Sequence, residues 1–200
     1  MGRAFFVRAP AKGASPWSID QIAQAASVTG ANGKNAETYW PKLWAAMTEW
    51  GMATAPVAAG IVGTIAKESG SFAPVREAWW LSDDARWAYY NDTTKHAAYG
   101  GGAQYHGRGF VQLTHIGNYQ AAQEAINRRM DWELDLVGKP DLALDGDVAA
   151  HIICWFFDAK GLAMLCTVED WREVRRRVWG AYGDTDGETK LKHAASVHIT

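Results

Sequence analysis

Residues 54–69 read Thr-Ala-Pro-Val-Ala-Ala-Gly-Ile-Val-Gly-Thr-Ile-Ala-Lys-Glu-Ser. From Pro56 to Ala66 nothing is charged and nearly every residue is small or apolar. Pro56 suits the first turn of a helix and Gly70 suits its end. A helix that is apolar around most of its circumference has to be enclosed by other elements. It is also well short of the ~18 apolar residues of a membrane span. The chain must therefore build a shell around this segment.

The rest of the sequence supplies that shell as helices broken by turns, which makes the expected class mainly α. Residues 1–16 read as an irregular N-terminal segment and 17–200 as a single domain, the size expected for one hydrophobic core. Ile19, Ile22, Ala23 and Ala26 recur at helical spacing behind a cap at Ser18. Gly30 to Gly33 reads as a turn. Trp40, Leu43, Trp44 and Met47 mark a second helix, with Pro41 in its first turn and an end near Gly51. Residues 70–118 lack long periodicity and read as a loop-rich stretch with a short hairpin; long irregular segments in compact domains are usually functional. Helices are expected again over 119–130, over 146–158 behind Asp145, over 168–179 behind Thr167, and near 187–197.

Composition excludes several classes. A formal charge of −2 gives no global attraction to nucleic acid or an anionic membrane. The run Arg175-Arg176-Arg177 reads as a solvated helix face. The apolar stretch Phe5-Phe6-Val7 is too short for a secretory signal, and Phe6 breaks a myristoylation pattern. Cys154 and Cys166 are too few for a disulfide framework, and Cys154, inside an apolar run, reads as a reduced core thiol. The 11 Trp stand out in 200 residues; most are expected in the core, and the remainder offer flat faces suited to sugar rings.

Two carboxylates carry the chemistry. Glu68 lies on the Ile61–Ile65 face at the end of the central helix. Burial and the helix C-terminus both disfavour a charged carboxylate there, which is what a general acid requires. The competing expectation is an ion pair with Arg76, Arg86 or Arg108. Glu77 follows beyond Gly70 and Pro74, so the chain can double back and set the two carboxyls across a gap. Glycoside hydrolysis uses such a pair, one to protonate the leaving oxygen and one to activate water. Trp79 and Trp80 follow at once as a candidate sugar platform. Further on, Tyr105-His106-Gly107-Arg108-Gly109-Phe110-Val111-Gln112-Leu113-Thr114 leads into Asn118 and Tyr119. Gln112, Thr114 and Asn118 are neutral groups able to orient hydroxyls, acetamides and a water; a capped strand-to-helix junction would use them equally well.

The pattern Tyr-x-Gly-Arg-Gly-x-x-Gln-Leu-Thr-x-x-x-Asn-Tyr resembles the signature of family 19 glycoside hydrolases, the chitinase-like branch of the lysozyme superfamily. The run Glu68-Ser69-Gly70-Ser71-Phe72 is similar to the corresponding segment of phage and bacterial lysins, and Pro140-Asp141-Leu142-Ala143-Leu144 to a later helical segment. The resemblance covers roughly 17–180 and implies a lysozyme-like helical domain with its loop-rich segment beside an active-site cleft. It implies Glu68 as general acid, Glu77 as general base and Thr114 as the hydroxyl holding the attacking water. Gln112 and Asn118 would bind substrate, and Tyr105, Arg108 and Tyr119 would shape the cleft, with Arg108 open to a structural role. It implies inversion at the anomeric carbon, no metal or other cofactor, and carboxyls about 6.5–9.5 Å apart.

The sequence departs from the pattern in two places. Lys67 replaces the family's His and is expected to point outward. Val178-Trp179-Gly180-Ala181 replaces an Asn-Gly-Gly segment, which removes a usual substrate contact. The expected substrate is bacterial peptidoglycan, cut between N-acetylmuramic acid and N-acetylglucosamine by a monomeric endolysin-type muramidase. Such an enzyme would be made in the cytoplasm and act on the wall after release or delivery. The alternatives are a chitinase and a catalytically inactive glycan-binding module.

Overall fold

The computed structural model describes residues 15–78, 80–91 and 103–197; the irregular reading of residues 1–14 lies outside them. Among the described residues there are nine α-helices and one pair of very short strands. The central helix, α3 (Ala55–Glu68), is buried at every position from Val57 to Ala66, as its composition requires. It packs against α1 (Ile19–Ala25), α7 (Leu162–Thr167), α8 (Trp171–Trp179) and α9 (Thr185–Ser196). A second group, α2 (Gly30–Glu49), α5 (Ile116–Met130) and α6 (Gly146–Ala159), joins the same continuous apolar core. Seven of the ten described Trp are buried or half-buried, so most do serve the core.

The approach of α9 to α3 depends on Gly63. A β-carbon there would lie 2.8 Å from the Leu191 Cα, too close for the two backbones to coexist unmoved. Cys154 and Cys166 are both free and buried.

Strand β1 (Val75–Arg76) pairs antiparallel with β2 (Arg108–Gly109), Val75 opposite Gly109 and Arg76 opposite Arg108. The stretch 70–118 thus holds a short strand pair, but residues 77–107 separate its two strands, so it is not the hairpin expected. The same stretch also contains α4 (Asp83–Asn91), which the apolar pattern does not reveal. Its buried residues are Arg86 and Tyr90, so its inward face is polar.

Three further expectations need correction. Gly30 to Gly33 is no turn but the first turn of α2, which begins ten residues before Trp40. Pro41 is consequently inside the helix. The stripe Ala36, Trp40, Leu43, Met47 is buried along one face, and that burial carries the helix through a residue lacking an N–H. Thr167 ends α7 rather than capping the next helix; a left-handed Glu169 breaks the chain, and Asp170 caps α8 by accepting from Glu173 N at 3.0 Å. Arg175 is not solvated: it is 5% exposed and faces inward with Trp171 and Val174.

Candidate active site

Glu68 is the last residue of α3, with its side chain 22% exposed. Its partner is none of the three arginines expected. Arg175 Nη1 donates to Glu68 Oε1 at 2.5 Å, and Arg175 Nε donates to Asp184 Oδ2 at 2.5 Å. Asp184 also caps α9, accepting from Gly187 N at 3.1 Å. Burial draws the Asp184 carboxyl upward, but the Gly187 N–H and the Arg175 and Lys67 cations outweigh it and hold it below the usual range. Lys67 turns to Asp186 at 2.6 Å, in keeping with an outward direction. Its ammonium is raised chiefly by that hydrogen bond. The end of α3 is thus tied to α8 and α9 by alternating charges, and these fix where the Glu68 carboxyl stands.

Glu77 follows β1 directly. Its N–H donates to Gly107 O at 2.8 Å, and its Oε2 accepts from Gly107 N at 2.9 Å. Gly107 has to be bare: a β-carbon would lie 2.8 Å from Gln112 Oε1 and 2.9 Å from Glu77 Oε2. The backbone around both segments is constrained. Phe72, Ala78, Gln112 and His115 all have left-handed φ without being glycine. Each such residue costs about 1–3 kcal/mol, and such strain clusters where a scaffold holds functional groups in place.

The Gly-Arg-Gly segment is held together from within. Arg108 is buried; its Nε donates to Asp141 Oδ1 at 2.8 Å, and its Nη1 donates to the carbonyls of Gln104 and His106 and to the Tyr119 hydroxyl, each at 3.0 Å. Asp141 also accepts both ends of the Arg76 fork, at 2.8 and 2.7 Å. The Arg76 hydrogen bonds foremost, with Arg108 beside them, hold the Asp141 carboxyl below its usual range. Burial pushes the Tyr119 phenol up to about 12. Tyr105 is buried and donates to Val137 O at 3.1 Å. These three residues are held by internal hydrogen bonds around the Gly-Arg-Gly segment.

Gln112 Nε2 donates to Val75 O and Gly109 O, both at 3.1 Å, so its amide protons brace the ribbon. Thr114 is half-buried and its hydroxyl donates to Gln112 O at 3.3 Å. Asn118 is exposed on the first turn of α5 and donates to Thr114 O at 2.7 Å. Trp80 is 70% exposed. Trp79, the other half of the expected sugar platform, lies outside the described residues.

Sequence reasoning missed Arg175, Asp184, Arg86 and Tyr90. Arg175 had a signal: it falls on the Trp171–Val174–Val178 face of its helix.

No family model matches the chain. Over 98 residues it is 34% identical to a glycosyl hydrolase family 19 domain-containing protein of Haemophilus influenzae. That match spans 49% of this chain and 44% of the relative, so the chain covers less than half of that protein. Among solved structures, a mutant of chitinase C superposes with a TM-score of 0.64 at 21% identity, covering 92% of this chain and 75% of that one. A bacterial family 19 chitinase gives 0.62 at 20% identity, over 90% of this chain and 95% of the other. The fold is that of the family 19 glycoside hydrolases. Chitinase C from Streptomyces griseus matches as well, at 0.55 and 21% identity over 92% of this chain and 74% of its own. The family 19 fold is mainly α here, with Glu68 ending α3 and Glu77 directly following the short strand β1. Among the described residues no helix is long and apolar enough to cross a membrane.

Proposed function

We propose that the chain is an inverting glycoside hydrolase acting on a β-1,4 polymer of N-acetylated sugars. The observation that carries this reading is the pair of anchored carboxylates, Glu68 at the end of the central helix and Glu77 at the end of β1, in a family 19 fold. Glu68 protonates the leaving glycosidic oxygen. Glu77 takes a proton from the water that attacks the opposite face of the anomeric carbon. The Thr114 hydroxyl, whose proton goes to Gln112 O, turns its lone pairs to that water. Trp80 and the exposed Trp87 offer sugar platforms near the ribbon.

The preferred substrate is peptidoglycan, cut between N-acetylmuramic acid and N-acetylglucosamine. The Glu68–Phe72 segment, similar to that of lysins, supports it. So do two free, buried thiols, which suit synthesis in a reducing cytoplasm followed by release or delivery to the wall. The protein would act as a monomer. Chitin is the second reading, favoured by the solved structures of similar fold, which are chitinases.

Mass spectrometry of digests of purified Gram-negative peptidoglycan, run beside a chitin hexamer, tests both. Reducing N-acetylmuramic acid ends with an intact hexamer are expected. A cleaved hexamer over intact peptidoglycan reverses the preference. Glu68→Gln should lose turnover by at least about a thousandfold while still binding glycan; normal turnover would remove the acid assignment.

A further inference from the structure

Arg76 of β1, Arg108 of β2, Arg86 and Trp87 of α4, His106 and Asp141 line a cavity of about 180 Å³. That is several times the ~30 Å³ share of a water molecule and below the ~300 Å³ at which pockets for whole ligands begin. It suits one functional group of a larger molecule. Most of the polar atoms in it are spent. Arg76 gives both ends of its fork to Asp141. Arg86 Nε donates to Glu77 O at 3.1 Å, its Nη2 donates to Ala78 O at 3.2 Å and Leu81 O at 2.7 Å, and its Nη1 donates to Asp83 at 2.6 Å. Two atoms stand apart. Arg108 is engaged through Nε and Nη1, but among the described residues nothing accepts from its Nη2. His106 is 6% exposed, and its Nδ1 lies 2.8 Å from Ala103 O, which can only accept, so Nδ1 carries the proton and Nε2 is a bare acceptor. That Nε2 is closed off from solvent and no donor reaches it. The ring lies flat on Tyr90, centroids 5.6 Å apart and planes within 4°, so turning it to find a donor would give up both contacts. A buried acceptor without a donor costs stability, and the cost is recovered when a bound molecule supplies the proton.

We propose that this cavity binds a secondary amide, whose N–H donates to His106 Nε2 and whose C=O accepts from Arg108 Nη2. A secondary amide carries one donor and one acceptor on separate atoms, which is the complement of the two atoms left over. The charge balance agrees. Three guanidiniums face Asp83 and Asp141, and burial, with the arginines adding to it, lowers the His106 pKa so that its ring stays neutral. The net positive charge favours a carbonyl oxygen and repels an ammonium. Trp87 is 56% exposed and makes no hydrogen bond or ring contact among the described residues, so it is the wall held by least and the one that yields to an entering group. Its face then covers the methyl group or sugar attached to the amide. The source of the amide rests on the reading of the substrate as a polymer of N-acetylated sugars: the acetamido group is one source, and the peptide carried by peptidoglycan offers the same chemistry. Because Arg86 also holds the Glu77 carbonyl, an amide seated here lies beside the segment that carries the proposed base.

The test is nitrogen NMR of the full chain with labelled histidine, the His106 signals being assigned by their loss in His106→Asn. N-acetylglucosamine should shift the Nε2 resonance in the direction of an accepted hydrogen bond, and glucose, which has no amide, should not. N-acetylalanine methylamide separates the sources: a stronger response to it assigns the cavity to a peptide amide, and a stronger response to the sugar assigns it to the acetamido group. Silence toward both at about 50 mM, enough to fill a weak site, overturns the proposal, as does an equal response to glucose. His106→Asn keeps a donor for Ala103 O and His106→Phe keeps the ring on Tyr90, so the two variants share only the loss of Nε2. Both should bind the responding amide about tenfold more weakly in ligand-detected NMR. A loss in one of them alone would trace the effect to the ring or to the Ala103 contact and overturn the assignment. The wild-type titration decides the matter even where a variant does not fold. A chain that binds the amide but cleaves neither peptidoglycan nor chitin loses the hydrolase reading and keeps this one; a chain that cleaves glycan with His106 silent does the reverse.

Discussion

Arg175 sits between Glu68 and Asp184 with 6% of its side chain exposed, so one cation is shared by two carboxylates, and Lys67 meets Asp184 as well at 3.6 Å. Removing one partner from a buried charge group leaves the others uncompensated, and the cost is usually larger than the net worth of the pair. Arg175→Ala is therefore expected to destabilise the fold by about 3 kcal/mol and to lower turnover more than Arg175→Lys does. Urea unfolding followed by circular dichroism, beside the activity assay, checks both. A second buried group, His151, with Glu49 Oε2 3.4 Å from its Nε2, is expected to make stability depend on pH. His151 Nδ1 accepts from Trp50 Nε1 at 3.0 Å, and burial lowers its pKa to about 4. The unfolded chain carries His at about 6.5, so between the two values it binds more protons than the folded chain. Stability should then fall as pH drops from about 6.5 to about 4, by up to ~3 kcal/mol. His151→Gln keeps an acceptor for Trp50 and should flatten that limb in urea titrations at successive pH values; an equally steep limb would assign the acid sensitivity elsewhere.

At the level of elements, what could be read in advance follows the physics of each signal. The core helices α1, α3, α5 and α6 announce themselves because their inward faces are apolar and their caps, Ser18 and Asp145, accept the expected N–H groups. Helix α4 is silent because Arg86 and Tyr90 face inward and the Arg86 guanidinium is satisfied by carbonyls that no local pattern displays. Helix α2 misleads differently. Pro41 looks like a beginning, and only the distant burial of Ala36 shows that the helix is already under way. Pro41 removes one hydrogen bond from that helix. Pro41→Ala should restore it and stabilise the fold by about 1–2 kcal/mol, the helix-interior cost of proline less its restraint on the unfolded chain. A melting temperature that does not rise would mean that the proline ring at position 41 is itself required by packing.

Across the whole molecule, the candidate site was legible as types of residue but not as connections. Glu68, Glu77 and the Gly107–Arg108–Gly109 run could be picked out because carboxylates at a helix end and glycines around a buried cation are unusual locally. Their partners could not. Arg175 is 107 residues from Glu68 in the chain, and such a contact exists only once the helices have packed. Gln112 shows the converse: its amide suggested substrate, while its protons are taken by the ribbon's own carbonyls.

The contact at Gly63 then has a reach beyond its own neighbourhood. Helix α9 rests on that bare backbone, and its capping residue Asp184 is what Arg175 grips while gripping Glu68. The spacing between two buried helices is thereby transmitted to the Glu68 carboxyl. Gly63→Ala adds a single methyl group to the interior and should wedge α9 outward, with a stability change within about 2 kcal/mol. Displacements near 1 Å can cost about a hundredfold in rate. The variant should therefore remain folded by circular dichroism and yet be at least about tenfold slower. Under the role proposed for Glu68, a purely volumetric change in the core would be inherited as a defect in proton delivery, and screens for activity would recover residues that no map of the candidate site contains.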